Sequence, residues 1–266
     1  MIKATDISAC YISPDISMEQ FIPDHFFLYL LKGSMTVYDG NKPYVVKAGD
    51  CGVGRRNHLA KYSKQPHEGA FEKIAIIFNQ EFLKAFLDAY PYPVEKTKSA
   101  EAVVRLEKSK LIDNFIQSLR PYFNEQGVID PAFLQVKRTE LLLILLKEKP
   151  ELAPLLFDFG DPGKKDLEAY MNKNYRFNIS IERFAYMTGR SLSTFKRDFE
   201  KIFHATPSHW LVQKRLEEAY FLLDKKDKKP SDIYLELGFE DLSHFSFAFK
   251  KLFGIAPTQL NTRQKR

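Results

Sequence analysis

Two short runs of polar side chains in the C-terminal half have the residue types that make contacts with DNA. They comprise Ser193, Thr194, Lys196 and Arg197 in the first run, and Ser243, His244, Ser246 and Phe247 in the second. Arginine can donate two hydrogen bonds to the edge of guanine, lysine can reach guanine or phosphate, and hydroxyls can contact either. We therefore expect these eight positions to read the bases of DNA.

Both runs lie in an internal repeat, in which residues 190–210 align with residues 240–260. Identical residues of the first copy are Leu192, Ser193, Phe195, Phe199, Lys201, Phe203 and Pro207. The apolar residues of each copy recur with the spacing of one buried face of an α-helix. This spacing predicts two buried faces, formed by Leu192, Phe195, Phe199, Ile202 and Phe203, and by Leu242, Phe245, Phe249, Leu252 and Phe253.

Capping residues and glycines place a shorter helix before each copy. A short helix, a glycine turn and a capped second helix predict a helix-turn-helix unit, whose second helix enters the major groove. The caps and turns are Ser180, Gly189 and Ser191 in the first unit and Ser231, Gly238 and Asp241 in the second. A long helix from Pro207 to about Leu223 is expected to join the two units.

The charge of the chain supports a polyanionic partner. The formal net charge is +6, and the excess of basic residues lies beyond residue 160. We expect contacts with the DNA backbone from Ser191, Lys201, Lys214, Arg215, Lys250 and Lys251. An ordinary solvated surface is the alternative interpretation. Because Phe247 stands where the first copy has Arg197, we expect the first copy to supply most base specificity and the second mainly backbone contacts and shape sensing.

The N-terminal half has a different period. Short β-rich segments lie between Phe26 and Phe78, and Asp39-Gly40-Asn41 is typical of a hairpin turn, so an antiparallel sandwich or barrel is expected. A helical hairpin is predicted over about 105–149. Its apolar stripes are Leu111, Ile112, Phe115, Ile116, Leu119 and Tyr122, then Phe133, Leu134, Leu141, Leu142, Leu145 and Leu146. These stripes favour either a homodimer seam or packing against the β-domain, and both interpretations stay open.

These patterns predict two domains and a linker: a sensing and dimerisation domain over 1–152, a Pro- and Gly-containing linker over 153–163, and a DNA-binding domain over 164–266. The longest apolar run, residues 141–146, is too short to cross a bilayer, and residues 1–6 do not resemble a signal peptide. We expect a cytoplasmic, nucleoid-associated protein without membrane contact. Its two cysteines suggest neither a disulfide framework nor a zinc finger.

The C-terminal residues resemble those of the AraC/XylS-type transcription regulators. The resemblance covers residues 164–262 and is carried by residues 184–189, 191–197, 238–245 and 249–257, which read FAYMTG, SLSTFKR, GFEDLSHF and FKKLFGIAP. It implies two helix-turn-helix units joined by a long helix. The family usually has a basic residue where this chain has Phe247, which bears on direct base reading by the second unit.

The N-terminal half is similar, more weakly, to the cupin-like regulatory domain that such regulators often carry. Residues 32–38 (KGSMTVY) and 48–50 (AGD) carry this resemblance. The implied fold class is a two-domain α+β protein: an antiparallel cupin-like barrel with a helical hairpin, followed by an all-α domain. Metal-dependent cupins need clustered histidines with a glutamate, whereas His25, His58 and His67 are isolated in sequence. We expect no metal, no cofactor and no catalytic residues.

The resulting functional hypothesis is a sequence-specific transcription regulator that acts as an activator. It would bind adjacent major grooves of double-stranded DNA, contact RNA polymerase, and form a homodimer through its N-terminal half. Its effector, a small molecule or a protein, stays open, as do the target promoter and the choice between activation and repression. The alternative hypothesis is a metal-dependent cupin enzyme with an appended nucleic-acid-binding module, which metal content after purification would reveal.

Overall fold

In a computed structural model that describes residues 7–11, 20–40, 42–93, 102–125, 129–226 and 228–263, the first structural unit combines β-strands and α-helices. The strands are β1 Ile7–Tyr11, β2 Phe21–Ile22, β3 His25–Lys32, β4 Ser34–Tyr38, β5 Pro43–Lys47, β6 Cys51–Gly54, β7 His58–Leu59, β8 Lys61–Gln65, β9 Glu72–Phe78 and β10 Val103–Arg105. All pair in antiparallel fashion. The antiparallel arrangement expected for this half is confirmed.

The strands form three sheets, whose strand orders are β1-β9-β3-β6-β10, β5-β4-β8 and β2-β7. The predicted hairpin joins β4 to β5, with Ser34 opposite Lys47 and Tyr38 opposite Pro43. Of its three predicted turn residues, Asn41 lies outside the described residues. The buried apolar side chains Met35 and Val46 of this hairpin pack in one core with Leu30 of β3.

Four helices complete this unit: α1 Gln80–Ala89, α2 Lys110–Leu119, α3 Pro131–Glu148 and α4 Ala153–Leu156, with 3₁₀ turns at Arg120–Tyr122 and Pro150–Leu152. Most of the predicted hairpin stripes are buried in one core with Phe27, Val53 and Ile76 of the five-stranded sheet. The interpretation of intramolecular packing therefore holds for these stripe positions. Leu111 and Phe133 differ, because both side chains are exposed.

The linker is shorter than the sequence predicts. Residues 153–157 were expected to be part of it, but they form α4 and its C-terminal cap, and Leu155, Leu156 and Phe157 are buried in the core of the first unit. The division between the two compact units falls between residues 160 and 161, apart from Gln20, which groups with the second unit. The predicted boundary rests on the proline and glycine residues of this segment. The first unit extends further along the chain than predicted, because the apolar side chains of residues 155–157 are buried in its core.

The second unit is helical. Its helices are α5 Leu167–Asn174, α6 Ile181–Met187, α7 Leu192–Phe203, α8 Pro207–Lys225, α9 Pro230–Ile233, α10 Leu242–Phe253 and α11 Pro257–Arg263. The protein therefore has two halves of different character, an N-terminal α+β half with antiparallel sheets and a C-terminal helical domain. Among the described residues, no helix combines the length and apolar composition needed to cross a bilayer.

Two separate cores lie within the helical unit, and α8 contributes to both. Leu211 packs with Phe184, Phe195 and Phe199 in the first core. Leu216, Ala219 and Leu223 of the same helix pack in the second core with, among others, Phe245 and Phe249. Because α8 has 19 residues, it is about 28 Å long and serves as the common support of α7 and α10.

Candidate nucleic-acid interface

The start of α7 is fixed by a side-chain cap and a glycine turn. Ser191 Oγ accepts a hydrogen bond from the backbone N–H of Thr194 at 3.3 Å, which confirms Ser191 as the cap. Gly189 has φ +66°, and a Cβ there would lie 2.6 Å from the carbonyl carbon of Gly163. Only glycine fits this turn without displacing the backbone.

The outward face of α7 brings three of the predicted base-reading residues together in solvent. Ser193, Lys196 and Arg197 are exposed, whereas Thr194 is half-buried and its hydroxyl accepts a hydrogen bond from Ser191 Oγ at 3.0 Å. These side chains lie within the first two turns of the helix. This is the end of a recognition helix that contacts base edges in helix-turn-helix proteins.

The buried face of α7 is narrower than its apolar spacing predicts. Phe195 and Phe199 are completely buried, and Leu192 and Phe203 are partly buried. The prediction that Ile202 is buried is wrong, because its side chain is exposed. Its counterpart Leu252 in α10 is exposed as well, so the core closes around the two central phenylalanines of each helix.

An adjacent carboxylate influences the charge around Arg197. Asp198 accepts a hydrogen bond from Arg190 Nε at 3.2 Å, and one of its oxygens lies 3.6 Å from Arg197 Nη2. The bond from Arg190 is the main cause that lowers the pKa of this carboxyl. The side chain of Arg197 is 65% exposed despite this contact with Asp198, so its guanidinium can turn toward a base.

The second copy repeats this scaffold. Asp241 accepts a hydrogen bond from the backbone N–H of His244 at 2.6 Å and confirms the predicted cap of α10. Ser243, His244 and Phe247 are exposed on the outward face, and Ser246 is half-buried. Gly238 supplies the preceding turn with φ +86°. The prediction that Ser231 is the cap is wrong, because α9 begins at Pro230, as the fixed φ of proline favours the first helical position. Lys229 occupies the N-cap position without a side-chain hydrogen bond.

The two copies also have closely similar aromatic packing. Ring centroids of Phe195 and Phe199 are 5.6 Å apart, and those of Phe245 and Phe249 are 5.8 Å apart. Both helices have twelve residues and are followed by a C-cap residue with left-handed backbone conformation, His204 after α7 and Gly254 after α10. Equivalent positions of α7 and α10 can therefore be compared directly.

Five of the six predicted backbone-contacting residues have side chains that reach solvent. Ser191, Lys201, Lys250 and Lys251 are exposed, and Lys214 is half-buried. The prediction for Arg215 is wrong, because this residue is only 8% exposed. A buried guanidinium is unavailable to phosphate.

Arg215 instead joins the two helix-turn-helix units. Its guanidinium donates hydrogen bonds to the carbonyl oxygens of Tyr175, Phe177 and Gly238, at 2.7, 2.8 and 2.9 Å. Burial lowers its pKa to about 10, so the group is still charged at neutral pH. A sequence signal for this burial exists: Leu211, Arg215 and Ala219 follow each other at intervals of four along the apolar face of α8.

Comparisons with known proteins match the two halves of the chain with two separate family models. A model of the ExsA N-terminal regulatory domain matches residues 25–155, and a model of a helix-turn-helix domain matches residues 184–263. The chain is 22% identical over 235 residues to the HTH-type transcriptional regulator ExsA of Pseudomonas aeruginosa, which covers 86% of this chain and 83% of that protein.

Two further similarities extend over most of the chain. The virulence regulon transcriptional activator VirF of Yersinia enterocolitica is 25% identical over 235 residues, or 86% of each protein. Among solved structures, an apo variant of ToxT from Vibrio cholerae aligns over 97% of both chains with a TM-score of 0.46 and 13% identity.

Proposed function

The chain belongs to the AraC/XylS-type transcription regulators, and from that premise we propose that it is a sequence-specific DNA-binding activator. The observation that carries the proposal is the pair of equivalent capped helices, α7 and α10, each on its own core and both supported by α8. Such a pair can enter two successive major grooves on one side of the duplex. RNA polymerase is the partner through which a DNA-bound activator would act.

The two recognition helices divide the reading of DNA in this proposal. Lys196 and Arg197 of α7 supply strong hydrogen-bond donors, and the equivalent positions of α10 are Ser246 and Phe247. Bidentate donation to guanine discriminates bases more strongly than a hydroxyl does. The first unit therefore supplies most of the hydrogen-bonded specificity, while Lys250 and Lys251 of the second unit contact the backbone.

Substitution of Arg197 by alanine tests the proposed base reading. We expect Arg197→Ala to weaken binding to the preferred site by about 1–3 kcal/mol and to relax the base preference at a single position, since one bidentate contact is lost. Binding should be measured by gel shift against a library with every single-base change, at fixed physiological salt.

One control variant and two contradicting outcomes accompany this measurement. Lys173→Ala removes the same charge from an exposed position of α5 and should leave base preference unchanged. An equal loss for Arg197→Ala on all sequences would assign this residue to phosphate alone. Wild-type protein that binds every promoter fragment and random DNA equally would contradict sequence-specific recognition as a whole.

The first unit is, in this proposal, a cupin-like regulatory domain that senses a signal and forms a homodimer. Support for the dimer comes from α3, where Phe133, Val136 and Leu143 are exposed. Residues spaced by three and seven lie on one helix face, so these side chains form an apolar stripe beside the face that is buried in the core. A second copy of the chain could cover this stripe by packing its own α3 against it.

A charge placed in this stripe should separate the subunits. We expect Val136→Glu to convert a dimer into a monomer, because burying an unpaired carboxylate costs several kcal/mol. Sedimentation equilibrium of the full chain measures the molar mass directly. Gln135→Glu introduces the same charge at the adjacent exposed position and is the matched control. An unchanged dimer for Val136→Glu would place the interface elsewhere.

A further inference from the structure

Phe247 is the most exposed large hydrophobic residue in the described part of the chain. Its side chain is 71% exposed, and it lies on the outward face of α10. An exposed phenylalanine ring gains free energy when a partner removes its apolar surface from water. We therefore expect an apolar group of a binding partner to cover the ring of Phe247.

The equivalence of the two recognition helices defines this position. Phe247 and Arg197 are each the sixth residue of a twelve-residue helix with the same type of side-chain cap. In the DNA complex that we propose above, on which this inference rests, both residues face base edges in a major groove. Phenylalanine cannot donate a hydrogen bond, so it must read a different feature of the base than Arg197 does.

The charges of α10 favour DNA as the partner that covers Phe247. Ala248 and Lys250 occupy the places of Asp198 and Glu200 in α7, so α10 contains no carboxylate. Lys250 and Lys251 are both exposed near the end of α10. This combination fits the major groove of DNA, where the lysines can contact backbone phosphates and the phenylalanine ring can contact apolar groups on the base edges.

In the major groove, the apolar group on a base edge is the C5 methyl of thymine. We propose that Phe247 is a specificity-determining residue that recognises a C5-methylated pyrimidine, thymine or 5-methylcytosine, in the half-site of the second helix-turn-helix unit. Ser243 and His244, both exposed on the same helix, supply the polar contacts beside the ring. Recognition by the methyl group alone makes binding sensitive to cytosine methylation at that position.

Base analogues that differ only in the methyl group test this proposal. Each thymine of the preferred site is replaced, one at a time, by uracil, which keeps the hydrogen-bonding groups of thymine. Removing one buried methyl should weaken binding by the full-length wild-type protein about fourfold at one position. At that same position, a 5-methylcytosine–guanine pair should be bound about fourfold more tightly than an unmethylated cytosine–guanine pair.

Three variants assign the methyl effect to the ring. Phe247→Ala should bind thymine and uracil sites equally, Phe247→Leu should keep part of the difference, and Arg197→Ala should keep all of it despite weaker binding. Because Phe247 and Arg197 are both exposed, we expect all three variants to keep the fold, with unchanged circular dichroism and thermal unfolding.

Two results would overturn the inference without affecting the proposed function: a wild-type protein that binds its preferred site specifically but is indifferent to every thymine methyl, or a methyl effect that persists in Phe247→Ala. A Phe247→Ala variant that binds all these DNAs like wild type but no longer activates transcription would also overturn it, and would assign the ring to a protein partner. Absence of any sequence preference in wild type is a failure of the proposed function instead.

Discussion

Replacing Arg215 by methionine should lower the free energy of unfolding of the helical unit by about 3–5 kcal/mol. The guanidinium is buried and donates to three carbonyl oxygens, those of Tyr175, Phe177 and Gly238. Methionine fills a similar volume with apolar atoms but leaves the carbonyl oxygens of Tyr175 and Gly238 without this donor, whereas that of Phe177 keeps the bond from the backbone N–H of Ile179 at 3.2 Å. Each unsatisfied buried acceptor costs about 1–3 kcal/mol.

The single tryptophan of the chain makes this effect measurable in the intact protein. Trp210 lies in the helical unit and packs against Phe203 and Phe199, with ring centroids 4.6 and 5.6 Å away. Its fluorescence during urea unfolding therefore reports on this unit. Lys214→Met, at the adjacent half-buried position, is the matched control and should change stability by less than about 1 kcal/mol. A similar stability for Arg215→Met and wild type would contradict the bridging role.

The same bridge should also fix the distance between the two recognition helices. Arg215 holds the chain after α5 and the turn before α10 to one point on α8. Arg215→Lys keeps a charge but loses the planar fork that contacts several acceptors at once. Adding one base pair between the two half-sites of the DNA should weaken binding by the wild-type protein. We expect this loss of affinity to be smaller for Arg215→Lys, because its two recognition helices are held less rigidly.

The largest pH effect is expected in the first unit, at His25. This side chain is 1% exposed, and Nδ1 accepts a hydrogen bond from the backbone N–H of Arg56 at 3.3 Å. Burial, followed by the charges of Arg56 and Arg55, lowers its pKa from 6.5 to about 3, while Asp158 raises it and His58 lowers it further. The neutral imidazole is therefore the form that fits the folded protein.

The sign of the pH effect follows from this depressed pKa. Between pH 6.5 and 3 the unfolded chain binds the proton and the folded chain does not, so stability falls as the pH falls. From pH 7 to pH 5 we expect a loss of about 2 kcal/mol from this residue alone. The resulting loss begins near pH 6.5 and is confined to the unit that contains His25.

Hydrogen exchange measured by mass spectrometry can resolve this loss, because it follows the amides of β3 separately from those of the helical unit. His25→Asn keeps an acceptor for the N–H of Arg56 and removes the titrating ring, so it should show a shallower decline between pH 7 and pH 5. His67→Asn changes an exposed histidine and should behave like wild type. An equally steep decline in His25→Asn would assign the effect to other groups.

Structural features that depend on neighbours along the chain are the ones that the sequence predicts correctly. The caps Ser180, Ser191 and Asp241 were predicted, and all three accept hydrogen bonds from backbone N–H groups at the start of their helices. The buried phenylalanines at the centres of α7 and α10 were predicted as well, from helical periodicity. Caps and periodic faces are local because they involve residues within one or two helical turns.

The two repeated helices and the antiparallel N-terminal half are predictable from patterns along the chain. Packing between distant elements, in contrast, makes Arg215 a buried bridge, leaves Ile202 exposed and adds residues 153–157 to the first core. These outcomes depend on which surface another element covers. Helical spacing fixes the direction of a side chain relative to its neighbours, but its burial depends on elements distant in sequence that pack against it.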